Sequence, residues 1–140
     1  MASTSNIQVT IAPRGADLDV TLDLRNSEPD LAPEELEALT QRLFQQIKAI
    51  DEVNEVNRIP EANPPTGSKP LSAAFIVGLL TAEVNAKNIK ALLEFLWERL
   101  SGKPIELKVE AEGKTLEVKA YSQQELSAAI EAAKEFLAAS

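Results

Sequence analysis

The stretch IELKVEAEGKTLEVKA, residues 105–120, decides the fold class. Ile105, Leu107 and Val109 alternate with Glu106, Lys108 and Glu110. Beyond Glu112-Gly113, Leu116 and Val118 alternate with Glu117 and Lys119. A period of two is that of a half-buried strand. A two-residue turn at Glu112-Gly113 sets Val109 opposite Leu116 and Leu107 opposite Val118. The other side then pairs Lys108 with Glu117 and Glu106 with Lys119, each such pair adding about 0.2–1 kcal/mol. A slip of one residue would turn the whole apolar set to water, so the register is strongly specified.

Downstream, Ser122 with Glu125 three residues on is a capping box. Leu126, Ile130, Ala133 and Leu137 supply the stripe of the helix it opens. Upstream, Ile89, Leu92, Leu93, Leu96 and Leu100 form an amphipathic stripe that Gly102 and Pro104 stop. Before it, residues 71–81 are apolar on every side, broken by Ser72 and Gly78. They are predicted as a helix buried all round or packed on a partner. Asn85 and Asn88 are candidate caps, and the reading leaves two helices or one bent helix open.

Further upstream, residues 60–70 form a stiff, exposed loop with Pro64-Pro65-Thr66-Gly67 at its centre. Residues 53–59 are a short predicted strand, and residues 33–50 a helix. Pro33 opens that helix, Glu34, Glu35 and Glu37 lie in or beside its first turn, and Leu36, Leu39, Leu43, Ile47 and Ile50 form its stripe. At the start, Ile7, Val9 and Ile11 and then Leu18, Val20, Leu22 and Leu24 alternate with polar residues around Pro13-Arg14-Gly15, a second hairpin. The predicted order is β-β-α-β-α-α-β-β-α. This is an α+β domain over residues 1–140, an antiparallel or mixed sheet of about five strands with helices on one face.

Composition bounds function. The chain has 140 residues, 44% of them hydrophobic and 26% charged, which suits one globular domain. The net charge of −8 opposes binding to nucleic acid and to anionic lipid. No apolar run reaches the length of roughly 20 residues that a membrane span needs. The first six residues lack the basic and apolar regions of a secretory signal. The absence of cysteine fits a reducing compartment, so a cytoplasmic location is expected.

The absence of histidine and cysteine removes the commonest general base, nucleophile and metal ligands together. Asp17, Asp19 and Asp23 share one side of a strand, but Ca²⁺ takes a ligand loop that is missing, so they read as a solvated face. Glu34, Glu35 and Glu37 read as helix-start residues rather than an acid pair. Ser122 has no elbow motif and no base beside it, and capping accounts for it. Gly67-Ser68-Lys69 lacks phosphate-loop spacing. No cofactor and no enzymatic activity are expected.

A family resemblance adds a role. From about residue 30 to 137 the layout resembles the effector-associated constant component family of bacterial conflict systems. The likeness lies in a helix leading into the strand at 53–59, the Pro-Pro-Thr-Gly loop at 64–67, the small-and-apolar 71–81 segment, and a helix ending in Leu96-Trp97-Glu98-Arg99-Leu100. The closing hairpin and helix complete it. The resemblance implies an accessory protein acting with separate effectors such as proteases and NTPases.

The expected function is therefore that of a non-enzymatic interaction component, binding a protein partner or itself through the helices of residues 71–100. The candidate contact residues are Phe75, Ile76, Leu79, Leu80 and Trp97, because apolar groups beyond one core's need mark interfaces. The same apolar segment also supports a membrane-docking alternative.

Overall fold

The structure is a computed structural model that describes residues 6–27, 31–61, 75–100 and 103–139. The Pro-rich loop predicted at 60–70 lies outside these beyond Glu61. The elements are β1 (Ile7–Arg14), β2 (Asp17–Asp23), α1 (Pro33–Lys48), β3 (Val53–Pro60), β4 (Phe75–Asn85), α2 (Ile89–Arg99), β5 (Ile105–Ala111), β6 (Lys114–Ala120) and α3 (Gln123–Ala138). A 3-10 turn, Ala86–Asn88, leads into α2. The α+β class holds, with a mixed sheet of six strands in the order β3-β4-β2-β1-β5-β6.

The terminal hairpin forms in the register its two faces demand. Val109 faces Leu116, Leu107 faces Val118, Lys108 faces Glu117 and Glu106 faces Lys119. Glu112 and Gly113 take the positive φ angles of +51° and +77° that such a tight turn imposes. The first hairpin turns at Gly15-Ala16, since Arg14 pairs with Asp17. β1 lies antiparallel to β2 and parallel to β5. All helices lie over one face of the sheet, α1 against β3 and β4, α3 against β5 and β6, and α2 beside α3. The enclosed core includes Ile7, Val9 and Ile11 of β1, Leu92, Leu93 and Leu96 of α2, and Ile105 of β5, all at 0% exposure.

The segment predicted as an all-round apolar helix is a strand. Residues 75–81 form the first part of β4, which continues to Asn85 between β2 and β3, and residues 71–74 lie outside the described residues. The physical reason is visible in the burial. Leu80, Ala82 and Val84 point into the core while Thr81, Glu83 and Asn85 alternate to the other side. An interior strand needs apolar groups on one side and tolerates small ones on the other. A helix of the same residues would need burial on every side. The order is thus β-β-α repeated three times, and α2 is the sole helix between β4 and β5 among the described residues.

A bulge in β4 explains the glycine. Arg58 faces Leu80 but Pro60 faces Phe75, so β4 carries extra residues across this stretch. Gly78 sits there at φ +86°. Its N–H donates to Thr40 Oγ1 at 3.1 Å, and its carbonyl accepts from Leu24 N–H at 2.7 Å. Thr40, fully buried on α1, donates its hydroxyl to Leu36 O at 2.7 Å. The helix α1 is thereby tied to the bulge through one hydroxyl whose donor and acceptor are both used.

An added Cβ at Gly78 would lie 2.8 Å from Arg25 Cγ, with Leu36 Cδ2 and Arg25 N close behind. At Gly15, φ +62°, a Cβ meets nothing within 4 Å. Gly15→Ala should therefore cost about 1–2 kcal/mol from backbone conformation alone. Gly78→Ala should cost about 2–3 kcal/mol, adding overlap to the same strain. Urea denaturation of the two variants checks the ordering.

Candidate interaction site

The sequence-predicted contact residues do not form one patch. Leu80 is fully buried in the core and is withdrawn as a contact residue. Trp97 is partly buried and packs against the core from α2. Ile76 and Leu79 are half-buried on the outer part of β4. Phe75, at 43% exposure, is one of two large apolar side chains exposed among the described residues, with Tyr121 the other. The apolar helix that both an interface and membrane docking called on is not formed over residues 75–81. Among the described residues, no helix is long and apolar enough to cross a membrane.

Phe75 has a partner that the sequence reading missed. Its ring covers the Arg58 guanidinium at 5.2 Å. Arg58 is on the core side of β3, in step with buried Val56, and its side chain is 5% exposed. Glu37 on α1 accepts from Arg58 Nη2 at 2.6 Å and from Nη1 at 2.9 Å. Gln41, one turn along, accepts from Nη1 at 3.1 Å. Glu37 thus reaches across to β3, while Glu35 does the helix-start work by accepting from Ala32 N–H at 3.2 Å. The signal was present: a lone cation on the inward side of a strand requires an anion within reach.

The acidic face of β2 is engaged by cations. Arg14 Nη1 lies 3.5 Å from Asp19 and 3.7 Å from Glu83. Arg25 binds Asp23 at 2.9 Å. Burial pushes the Asp23 carboxyl up, but the hydrogen bonds and charge of Arg25 outweigh it and hold it below its ordinary value. Glu37 is held below its ordinary value by hydrogen bonding to Arg58, against a smaller desolvation effect. Among the described residues, no group of three or more acids is arranged to hold a metal. Ser122 caps α3, its Oγ accepting from Glu125 N–H at 3.1 Å, and Glu125 returns to Tyr121 N–H at 2.7 Å.

With the helices on one side, the opposite face of the sheet carries a continuous polar grid. Its middle row runs Asn57, Thr81, Thr21, Thr10, Lys108 and Glu117 across all six strands. The next row places Glu55, Glu83, Asp19 and Ala12 side by side. The three central threonines are short, so the middle of this face carries no long side chain, and its β3-β4-β2 half is acidic.

No protein-family model matches the chain. No curated protein matches it either.

Arg58 and Glu37 make an unequal pair, because Arg58 is buried while the Glu37 side chain is 44% exposed. Glu37→Ala strands a buried guanidinium and should cost about 1–3 kcal/mol. Arg58→Met, which releases a carboxylate able to reach water, should cost less. Glu37 is lowered from 4.5, so its contribution is complete above that value and is lost as pH falls through the lower folded value. Urea titrations at neutral and acid pH should show Glu37→Gln losing less stability on acidification than the parent chain.

Proposed function

We propose that this protein is a non-enzymatic accessory component that works by binding separate proteins. The contact surface is the helix-free face of the sheet, together with half-buried Leu79 of β4, whose neighbour Leu80 points into the core. The observation that carries the reading is the row of short side chains, Thr10, Thr21 and Thr81, at the centre of a six-stranded face that no helix among the described residues packs against. Faces with short side chains at the centre admit a large, closely fitting partner surface. The neighbouring Asp19, Glu83 and Glu55 select a partner whose contact surface is basic, since charge complementarity sets both encounter rate and partner choice. The resemblance to the effector-associated constant components supports partners of the effector kind, proteases and NTPases of a bacterial conflict system. The absence of histidine and cysteine supports a role outside catalysis. A cytoplasmic site of action belongs to the same reading.

A photo-crosslinking residue at Thr10, Thr21 or Thr81 tests this in native host cells, with one at exposed Lys90 on α2 as the control. All three sheet positions should yield the same protein adduct, Lys90 should not, and Glu83→Lys should reduce the yield at least several-fold. Adducts of equal yield from Lys90, or none from the sheet positions, would remove the proposal. An adduct of twice the chain's own mass would make the partner a second copy and end the effector reading.

A further inference from the structure

A half-open cleft of about 390 Å³ lies on the helix side, where the turn end of the β1–β2 hairpin meets the start of α2 and the last turns of α3. Its floor is Ile11, Leu18 and Ile89, which belong to the core at 0–4% exposure, and Leu137 of α3 forms a wall. The cleft is of ordinary ligand-site size. Its polar groups are almost confined to two side chains, Lys87 before α2 and Lys134 on α3. No acid lines it. On a chain of net charge −8, two lysines in the lining of one apolar cleft stand out. Lys134 has one long contact, 3.9 Å to the well-exposed Glu131, an exposed i,i+3 pair of little strength. The positive end of α2 and the negative end of α3 both border the cleft and oppose each other, so the lysines set the sign of its potential.

We propose that this cleft binds a free, medium-chain fatty acid. The aliphatic tail lies on Ile11, Leu18, Ile89 and Leu137, and the carboxylate lies between Lys87 and Lys134. Both halves of the recognition are needed. The apolar floor supplies affinity in proportion to tail length, and the two ammonium groups choose an anionic head over a neutral or cationic one. The cleft is on the opposite side of the sheet from the protein-binding face, so the two proposals stand or fall separately.

The test is a titration of the isotope-labelled full chain with decanoate, octanoate and decylamine below their micellar concentrations, followed by amide NMR. Decanoate should shift Ala86, Ile89, Ala133 and Leu137 saturably. Octanoate should bind more weakly, by up to about fifteen-fold if both missing methylenes were fully buried. The double variant Lys87→Glu, Lys134→Glu should weaken decanoate at least ten-fold while its thermal melt stays close to the parent's. Ala138→Trp, at an exposed position on the cleft wall, should block binding without unfolding the chain. Equal binding of decylamine and decanoate would overturn the proposal. So would shifts mapping away from the cleft, or no saturable shift at all.

Discussion

Strand β1 is the member on which the sheet depends. It pairs antiparallel with β2 through Gln8–Arg14 and parallel with β5 through Ile7–Ile11. The β5–β6 hairpin joins the sheet through that parallel pairing alone. The constraint is one of facing. Ile7, Val9 and Ile11 must enter the same core that Leu18, Val20 and Leu22 enter from one neighbour and Ile105, Leu107 and Val109 from the other. A one-residue offset at either seam would send a full set of apolar groups to the polar face. Parallel pairing is non-local, and here it brings together strands about a hundred residues apart, so its loop-closure entropy is among the largest the fold must offset.

Those units have a common plan. Each third of the chain is a hairpin followed by a helix, and each helix returns to the same side of the sheet. The terminal thirds were legible because alternation and helical stripes were unambiguous in them. Leu107, Val109, Leu116 and Val118 admit one pairing, and Leu36 to Ile47 one helical face. The middle third was not legible, for two physical reasons. The outer end of β4 carries apolar groups on both sides, Leu80 inward and half-buried Leu79 outward, so Phe75 to Leu80 resemble a buried helix in composition. The bulge at Gly78 then breaks the period where it would have been most telling. The sequence still held a clue. The run is dense in aromatic and β-branched residues, and Leu80, Ala82 and Val84 alternate cleanly with Thr81, Glu83 and Asn85.

Of the candidate contact residues, the sequence revealed which were apolar but not which way they faced. Leu80 and Leu79 are neighbours in the chain and have opposite fates because a strand turns each residue to the other side. The polar grid on the helix-free face was hidden for a different reason. Thr10, Thr21 and Thr81 lie in three strands, and their alignment depends on the sheet order, which crosses from β2 to β4 and from β1 to β5. Arg58 was overlooked because its anion, Glu37, had a sufficient explanation at a helix start. Local rules accounted for each residue singly and missed the bond between them.

The two outer strands carry a further consequence. β3 is interrupted by two register shifts and ends in Pro60, which has no N–H to offer. β6 alternates its partly buried Leu116 and Val118 with exposed Thr115, Glu117 and Lys119. Neither rim is a good template for a seventh strand. Growth of these sheets into fibrils by edge-to-edge strand addition is thereby discouraged at both margins.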